Sequence, residues 1–340
     1  MKVSGSGFYS TKREVLGEVC PLDTPFRLGI SVSEVCNFKC VYCFRSVSDT
    51  LKNGYTTKPF MDMEMFEKVV QDAKKFSSPI KKIFLNVTGE PLCHKELPRM
   101  IKYLKREMPE PVVAIQTNGS LLNSTLSKQL VESGLDHMLI SLQGITPEKY
   151  RDICGATVDF ERFRDNIRYL YSIRNTLKVF VKVPDIALSE HEVAKYYDMF
   201  SPISDEATIE KINPVFNEVD YSKLGVASDS TANRIGTDYG KQKVCSYPFY
   251  ELTITTNGNA YPCVQSIIPC TFGNINTESL VDIWNGRTRA DFLKKMLREE
   301  SIPRCDICTS KSTCILSPED SIGPYAEQVL SRMIAKEKSL

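Results

Sequence analysis

No apolar run in this 340-residue chain approaches the roughly 20 residues that a membrane-spanning helix requires. The N-terminus, MKVSGSGFYSTKREVLGEVC, lacks the apolar core of a signal peptide. Net charge is almost absent: 43 Lys and Arg stand against 42 Asp and Glu, giving +1, and the signs are mixed along the chain. There is therefore no electrostatic case for nucleic acid or for a membrane surface. Repeats and low-complexity tracts are missing too, which excludes a solenoid or an array. Cysteine, by contrast, is plentiful. Twelve Cys in a chain that reads as cytoplasmic argue for metal ligation rather than disulfides.

With 42% apolar residues, the chain is long enough for one large domain and a small one. From residue 27 to 215, short β-branched runs alternate with helical periodicity. Strands are expected at 28–33, 82–87, 112–117, 137–142, 178–183 and 207–212. Between them, Phe66, Val69, Val70 and Ala73 fall at i, i+3, i+4 and i+7, as do Leu97, Met100, Ile101 and Leu104. Asn123 can cap a helix that Gly134 ends, Thr146-Pro147 has the form of N-cap and N1, and Ser189-x-x-Glu192 that of a capping box. Six β/α units in succession imply an α/β fold with a parallel sheet, either a partial barrel or an open doubly wound sheet. Alternate strand positions carry Asn86, Thr88, Gln116, Asn118, His137, Ser141, Gln143, Lys182, Thr208 and Glu210, a polar face opposite an apolar one made by Ile83, Leu85, Val113, Ile115, Ile140, Val181, Val183 and Ile209. Such a polar face, near the C-terminal strand ends, is where these folds place their sites.

The remaining boundaries follow from breaks in this pattern. Residues 1–26 form an N-terminal extension, and 27–215 the barrel-like unit. Segment 216–240, rich in Ser, Asn, Asp and Gly, reads as a linker or lid. A smaller domain occupies 241–316 and opens with alternating residues around Asn257-Gly258, a type I′ hairpin signal. A C-terminal helix lies within 317–340, with Val329, Leu330, Met333 and Ile334 on one face.

The chemistry starts at Cys36-Asn37-Phe38-Lys39-Cys40-Val41-Tyr42-Cys43, directly after the first strand. Three thiols at C-x3-C-x2-C can hold three irons of a 4Fe–4S cluster and leave the fourth iron open to a small molecule. A zinc site is the alternative, but no fourth ligand stands at suitable spacing before residue 52. Farther on, Cys245-x12-Gly258-x4-Cys263 is followed by Cys305-x2-Cys308-x5-Cys314. These thiols suit an iron–sulfur cluster, with a structural zinc ribbon as the plain alternative.

The first motif resembles the signature of the radical S-adenosylmethionine (SAM) superfamily. Thr88-Gly89-Glu90-Pro91 matches that superfamily's Gly-Gly-Glu-type motif, with Thr in the first glycine position. The resemblance implies an open (β/α)6 partial barrel. It also implies that Gly89 and Glu90 accept hydrogen bonds from the SAM ammonium group. Asn118, Ser141 and Gln143 would line its methionyl and ribose groups, and Tyr42 would pack near the adenine. The family often has Asp where Gln143 stands.

The second cysteine set, with Phe272 to Trp284 between its halves, resembles the SPASM/twitch extension that carries auxiliary 4Fe–4S clusters. The full pattern continues Cys-x3-Cys, but Pro318 occupies that place. One auxiliary cluster on Cys245, Cys263, Cys305 and Cys308 is expected, with Cys314 and Cys270 as spare or alternative ligands. Two clusters of three thiolates each is the competing arrangement.

The resemblance further implies reductive SAM cleavage, hydrogen-atom abstraction from a substrate carbon, and an electron donor such as flavodoxin or ferredoxin. Lys182 and Glu210, both directed inward, are candidates for a base or for anchoring substrate and the SAM carboxylate; an internal ion pair is the alternative. The first strand starts at residue 28, which leaves no room for the N-terminal peptide-binding domain of many peptide-modifying relatives. A small polar substrate (sugar, aminosugar or cyclitol-like), oxidised or epimerised, is the first expectation; a peptide or protein side chain is the second. A non-catalytic iron–sulfur carrier is the alternative from another class, although a carrier needs neither an open iron nor a pocket. Cys20, Cys93 and Cys154 are expected as packed thiols, His94 as a capping or packing residue and His191 as a solvated one.

Overall fold

The computed structural model describes residues 7–9, 13–47, 58–227, 229–263 and 269–338. Parts of the expected extension, lid and small domain therefore lie outside the described residues. The strands are β1 (Arg27–Ile30), β2 (Lys82–Phe84), β3 (Val112–Thr117), β4 (His137–Ser141), β5 (Lys178–Pro184), β6 (Glu206–Glu210), β7 (Glu251–Ile254), β8 (Asn259–Tyr261) and β9 (Gly273–Asn274). They form one sheet in the order β6-β5-β4-β3-β2-β1-β7-β8-β9. Strands β1 to β6 are parallel and run in sequence order without the reversal of a doubly wound sheet. Single winding with right-handed crossovers keeps the helices on one face and lets the sheet curl.

The helices between these strands are α1 (Met63–Ala73), α2 (Leu97–Glu107), α3 (Ser124–Glu132), α4 (Pro147–Cys154), α5 (Phe160–Ile173) and α6 (Glu192–Phe200). Sequence signals account for most of their starts. The Asn123 side chain accepts from the Leu126 N–H at 3.0 Å, and Thr146 caps α4 with Pro147 in its first turn. The Ser189/Glu192 pair is real but differs from a capping box. The Glu192 carboxylate accepts from the Ser189 N–H and hydroxyl, yet Glu192 is itself the first helical residue and His191 precedes it as N-cap. The two residues close a turn ahead of α6.

The predicted apolar strand face is buried under the helices: Ile83, Leu85, Val113, Ile115, Ile140, Val181, Val183 and Ile209 are all at or near zero exposure. The inner face carries a second, smaller cluster of Phe8, Ala114, Leu139 and Phe180, against which Tyr9 and Phe84 pack. Phe8 thus closes the lower end of the barrel from the N-terminal segment, edge-on to Phe180 at 5.7 Å. Lys82 donates to the Phe8 carbonyl at 2.7 Å, and the Glu206 carboxylate accepts from the Gly7 N–H at 2.6 Å.

Beyond β6, the chain crosses to the small domain and returns to the barrel. Strand β7 pairs in parallel with β1, Arg27 opposite Glu251 and Ile30 opposite Ile254. The expected hairpin follows, but its turn is not type I′. Among the described residues outside glycine, positive φ occurs only at Asn175 and Glu299, so Asn257 is not left-handed; Gly258 alone is, at +86°. The Gly258 N–H donates to the Thr255 carbonyl at 2.9 Å, which makes a three-residue loop with a left-handed glycine. Helices α7 (Leu280–Asn285), α8 (Arg287–Leu297) and α9 (Ala326–Lys338) complete the chain. Trp284, fully buried, donates from Nε1 to the Leu22 carbonyl at 2.9 Å, and the Arg289 guanidinium stacks on its ring at 3.3 Å.

Burial pulls Lys82 from its ordinary 10.5 down to about 7, with repulsion from Arg27 adding to the effect. Its folded value is depressed, so the unfolded chain holds the extra proton between about pH 7 and 10.5 and stability rises with pH across that window. Lys82→Met should remove that rise, on the order of a few kcal/mol. Denaturant titration of both proteins at pH 7.5 and 9.5 checks it, since parallel slopes would show that Lys82 is not the group responsible.

Candidate active site and auxiliary metal centre

The three-cysteine loop leaves the C-terminal end of β1 and rests on the end of α4. The Lys39 and Val41 N–H groups donate to the carbonyls of Cys154 and Ile153 at 3.0 and 2.8 Å, satisfying acceptors that a helix end otherwise leaves open. Phe38 adds an edge contact to the Tyr150 ring at 6.1 Å. Cys43 turns back on the loop, its N–H donating to the Cys40 carbonyl at 2.9 Å. Burial pushes the Cys36 thiol up to about 11 and Cys43 upward as well. Cys154, expected as a packed thiol, is buried and also touches the Cys40 sulfur. Cys20 is buried, while Cys93 is half-buried beside Glu90 and Asn37.

Glu90 is the knot at the top of the sheet. It is buried, and its carboxylate accepts from the Leu92 N–H at 3.0 Å, the Thr117 hydroxyl at 2.6 Å and the Asn118 N–H at 2.7 Å. Its own N–H donates to the Val35 carbonyl at 2.7 Å. One residue therefore joins the ends of β2 and β3 to the cysteine loop. Burial pushes its carboxyl up to about 7, against the pull of the three donors. Gly89 has no room for a side chain: a Cβ there would lie 2.2 Å from the Ser33 carbonyl oxygen. Asn118 reaches across to Asn37, Nδ2 to Oδ1 at 2.9 Å, one residue after Cys36.

The ends of β4, β5 and β6 supply the remaining expected residues. The Tyr42 hydroxyl donates to Gln143 Oε1 at 2.5 Å, and Gln116 Nε2 donates to the Ser141 hydroxyl at 3.1 Å. Lys182 Nζ and Glu210 Oε2 are 2.7 Å apart and nearly buried. Although burial disfavours both charges, their mutual attraction holds Lys182 above and Glu210 below their ordinary values. The pair stays ionised, which suits anchoring better than proton removal.

Several polar residues here carried no signal in the sequence. Glu34 accepts from Ser31 at 2.6 Å, from Thr88 and from Arg45 at 3.1 Å, while Arg45 also donates to the Thr88 carbonyl at 2.7 Å. The Thr in the first glycine position is thus tied into an ion-paired network behind the cysteine loop. Arg234 donates to the Tyr9 hydroxyl at 2.7 Å, joining the interior from a segment without periodicity.

In the small domain, Cys245, Cys263, Cys305 and Cys308 line one pocket together with Pro262, Phe292 and Met296. Cys314 touches the Cys245 sulfur, and Cys270 lies near Cys305. Among the described residues, no three His, Cys, Asp or Glu stand at the spacing of a single ion's ligands. The thiols of a cluster, each bound to its own iron, need not be so close. Four thiols lining one largely apolar pocket fit iron–sulfur ligation.

Comparison with known proteins agrees with this layout. The radical SAM superfamily model matches residues 30–195, and the SPASM iron–sulfur cluster-binding domain model matches residues 245–309. The chain belongs to the radical SAM superfamily. The tungsten-containing aldehyde ferredoxin oxidoreductase cofactor-modifying protein of Pyrococcus furiosus is 23% identical over 324 residues, 84% of this chain and 88% of that protein. A probable GTP 3′,8-cyclase of Methanococcus vannielii is 33% identical over 173 residues, but the match spans only 50% of this chain and 54% of that protein. Among solved structures, Streptococcus suis SuiB bound to the precursor peptide SuiA aligns with a TM-score of 0.60 at 15% identity, covering 89% of this chain and 76% of SuiB. BtrN in complex with AdoMet and 2-DOIA aligns with a TM-score of 0.54 at 18% identity, covering 83% and 91%. At such identities the structures establish the fold alone. The two domain models mean that this radical SAM enzyme takes a 4Fe–4S cluster, SAM and auxiliary iron–sulfur clusters. No helix among the described residues is long and apolar enough to cross a membrane.

Glu90→Gln should cost about 1–3 kcal/mol, because one amide oxygen cannot accept what two carboxylate oxygens do and its NH2 would face backbone donors. Denaturant unfolding of the apoprotein at pH 8 measures this. A loss below about 0.5 kcal/mol would show that the carboxylate is not the tie between strand ends.

Proposed function

We propose that this radical SAM enzyme oxidises or epimerises a small hydroxylated molecule at one carbon. The observation that carries the reading is the cover over the Lys182–Glu210 end of the barrel. The Tyr221 hydroxyl in segment 216–240 donates to the Tyr42 carbonyl at 3.0 Å, and Phe216 packs on Phe44 at 5.0 Å. Asn233 donates to the Ile315 carbonyl at 2.8 Å, and the Lys211 N–H to the Arg234 carbonyl at 2.8 Å. Described residues of this segment thus tie the cysteine loop, the end of β6 and the small domain together, and a site covered in this way suits a small molecule better than a chain.

When bound, SAM and its cluster supply hydrogen-atom abstraction from an unactivated carbon. Cys36, Cys40 and Cys43 would hold that cluster. Gly89, Glu90 and Asn118 would seat the SAM amino group, Ser141 its carboxylate, and Tyr42 with Gln143 its adenosyl side. Lys182 and Glu210 would orient the substrate by hydrogen bonds, and Tyr221 with Phe216 would exclude water. Cys245, Cys263, Cys305 and Cys308 would hold an auxiliary cluster that accepts the electron left after oxidation. A flavodoxin or ferredoxin would deliver the initiating electron.

Anaerobically reconstituted protein should contain about eight irons, falling to about four in the Cys36/Cys40/Cys43→Ala variant. Cys40→Ala should reduce 5′-deoxyadenosine formation to background. Cys305→Ala should keep part of that cleavage but lose product oxidation. Full product formation by Cys305→Ala would eliminate the electron-acceptor role, and about twelve irons would favour two auxiliary clusters and, with them, peptide or protein side-chain modification.

A further inference from the structure

Not every cation of the barrel interior has a carboxylate bonded to it. Lys182 pairs with Glu210 at 2.7 Å, and Arg27 pairs with Glu251 at 3.0 Å. Lower down, Lys82 and Glu206 are taken up by the Phe8 carbonyl and the Gly7 N–H of the N-terminal segment. Arg234 is the remaining cation, and it forms no ion pair of its own among the described residues. Its Nη1 donates to the Tyr9 hydroxyl at 2.7 Å, and its guanidinium lies 4.7 Å from the centre of that ring. The Tyr9 hydroxyl in turn adds to the hold on Glu210. Arg234 Nε is buried without any hydrogen-bond partner, and so are Arg27 Nε, Thr208 Oγ1 and one oxygen each of Glu210 and Glu251.

Nor is this a loosely held side chain. Asn233, fully buried, accepts from the N–H groups of Ile235 and Thr237, both at 3.0 Å, and donates to the Ile315 carbonyl at 2.8 Å. The turn that presents Arg234 is fixed from both sides. A buried guanidinium with an unused donor and no carboxylate bonded to it, the nearby Glu210 being held by Lys182, is costly unless something else supplies the negative charge. A planar fork of donors is matched best by a carboxylate or a phosphate.

We propose that Arg234 is the receptor for an anionic group on the substrate, so that the substrate is a hydroxylated carboxylate or phosphate ester rather than an amino sugar. The inference rests on the reading of the barrel interior as a substrate site. The Lys182–Glu210 pair and Thr208 would then address the substrate's hydroxyl groups, while Arg234 fixes its orientation.

The test compares wild type, Arg234→Lys and Arg234→Gln as reconstituted full-length proteins at constant ionic strength. Thermal stability is read with inorganic phosphate, D-gluconate or D-glucosamine added. Phosphate or gluconate should raise the wild-type Tm by at least about 2 °C at saturating concentration. Arg234→Lys should keep most of the shift and Arg234→Gln should lose it, with no shift from glucosamine. Which anion acts tells phosphate from carboxylate. A shift with glucosamine equal to that with gluconate, a shift retained by Arg234→Gln, or no shift with either anion would overturn the proposal. If Arg234→Gln instead weakens SAM binding about tenfold and nothing else, the anion is SAM's own carboxylate and the substrate assignment falls. Should Arg234→Gln not fold, the wild-type contrast between gluconate and glucosamine still decides. SAM cleavage by the wild type is scored separately, so a failed radical reading cannot be mistaken for a failed anion site.

Discussion

The parallel pairing of β1 with β7 is the constraint on which the rest of the site depends. It brings residues more than 220 positions apart into register, Arg27 opposite Glu251, and makes the small domain a continuation of the barrel sheet. Parallel neighbours far apart in sequence must meet the loop-closure cost before they gain anything. The contacts that offset it here are near-complete burial of Leu28, Ile30, Leu252 and Ile254 and a Trp284 that is fully enclosed and bonded to Leu22. Remove that register and the cysteine loop after β1 loses its fixed relation to the cavity below β7.

Polar groups do the same for the interior. Arg27–Glu251 and Lys182–Glu210 are buried ion pairs, and such pairs contribute little net stability because desolvation offsets their attraction. Their value is positional. Each carboxylate is bonded to one cation, which fixes the arrangement of these side chains inside the barrel. Glu90 acts likewise at the strand tops, where three donors on one carboxylate hold β2, β3 and the loop together.

Much of this was legible in the sequence because it is local. The cysteine spacing, the Gly-Glu pair after β2, the Asn123 and Thr146 caps and the alternation of polar and apolar strand faces each depend on a few neighbouring residues. Expected strands ran one to three residues past several real ends, since residues such as Ser31 and Asn86 keep alternating after their ladder partners stop. The Asn257-Gly258 turn took a three-residue form because its partner strand β8 pairs Ala260 with Ile254. Arg234, Tyr9 and the Glu34–Arg45–Thr88 network had no local signature. They matter through contacts across 11 to 225 residues, between segments without periodicity.

The direction of β7 also orders the two cysteine sets along one axis. Cys36, Cys40 and Cys43 follow the C-terminal end of β1, whereas Cys245 precedes the N-terminal end of its parallel neighbour and Cys263 follows the antiparallel β8 back to that same end. The sets therefore stand at opposite ends of one strand pair, separated by a strand of four residues, at roughly 3.3 Å each, plus the flanking loops. Side chains stand beside both sets: Tyr221 near Cys43 at one end, and Tyr247 near Arg234 and Cys314 at the other. A molecule held by Arg234 and the Lys182–Glu210 pair would lie along the line between the two sets. On that reading, the first cysteine set would hold its cluster at one end of the line and the second set its cluster at the other, so the two sets need share neither a ligand nor a face of the substrate.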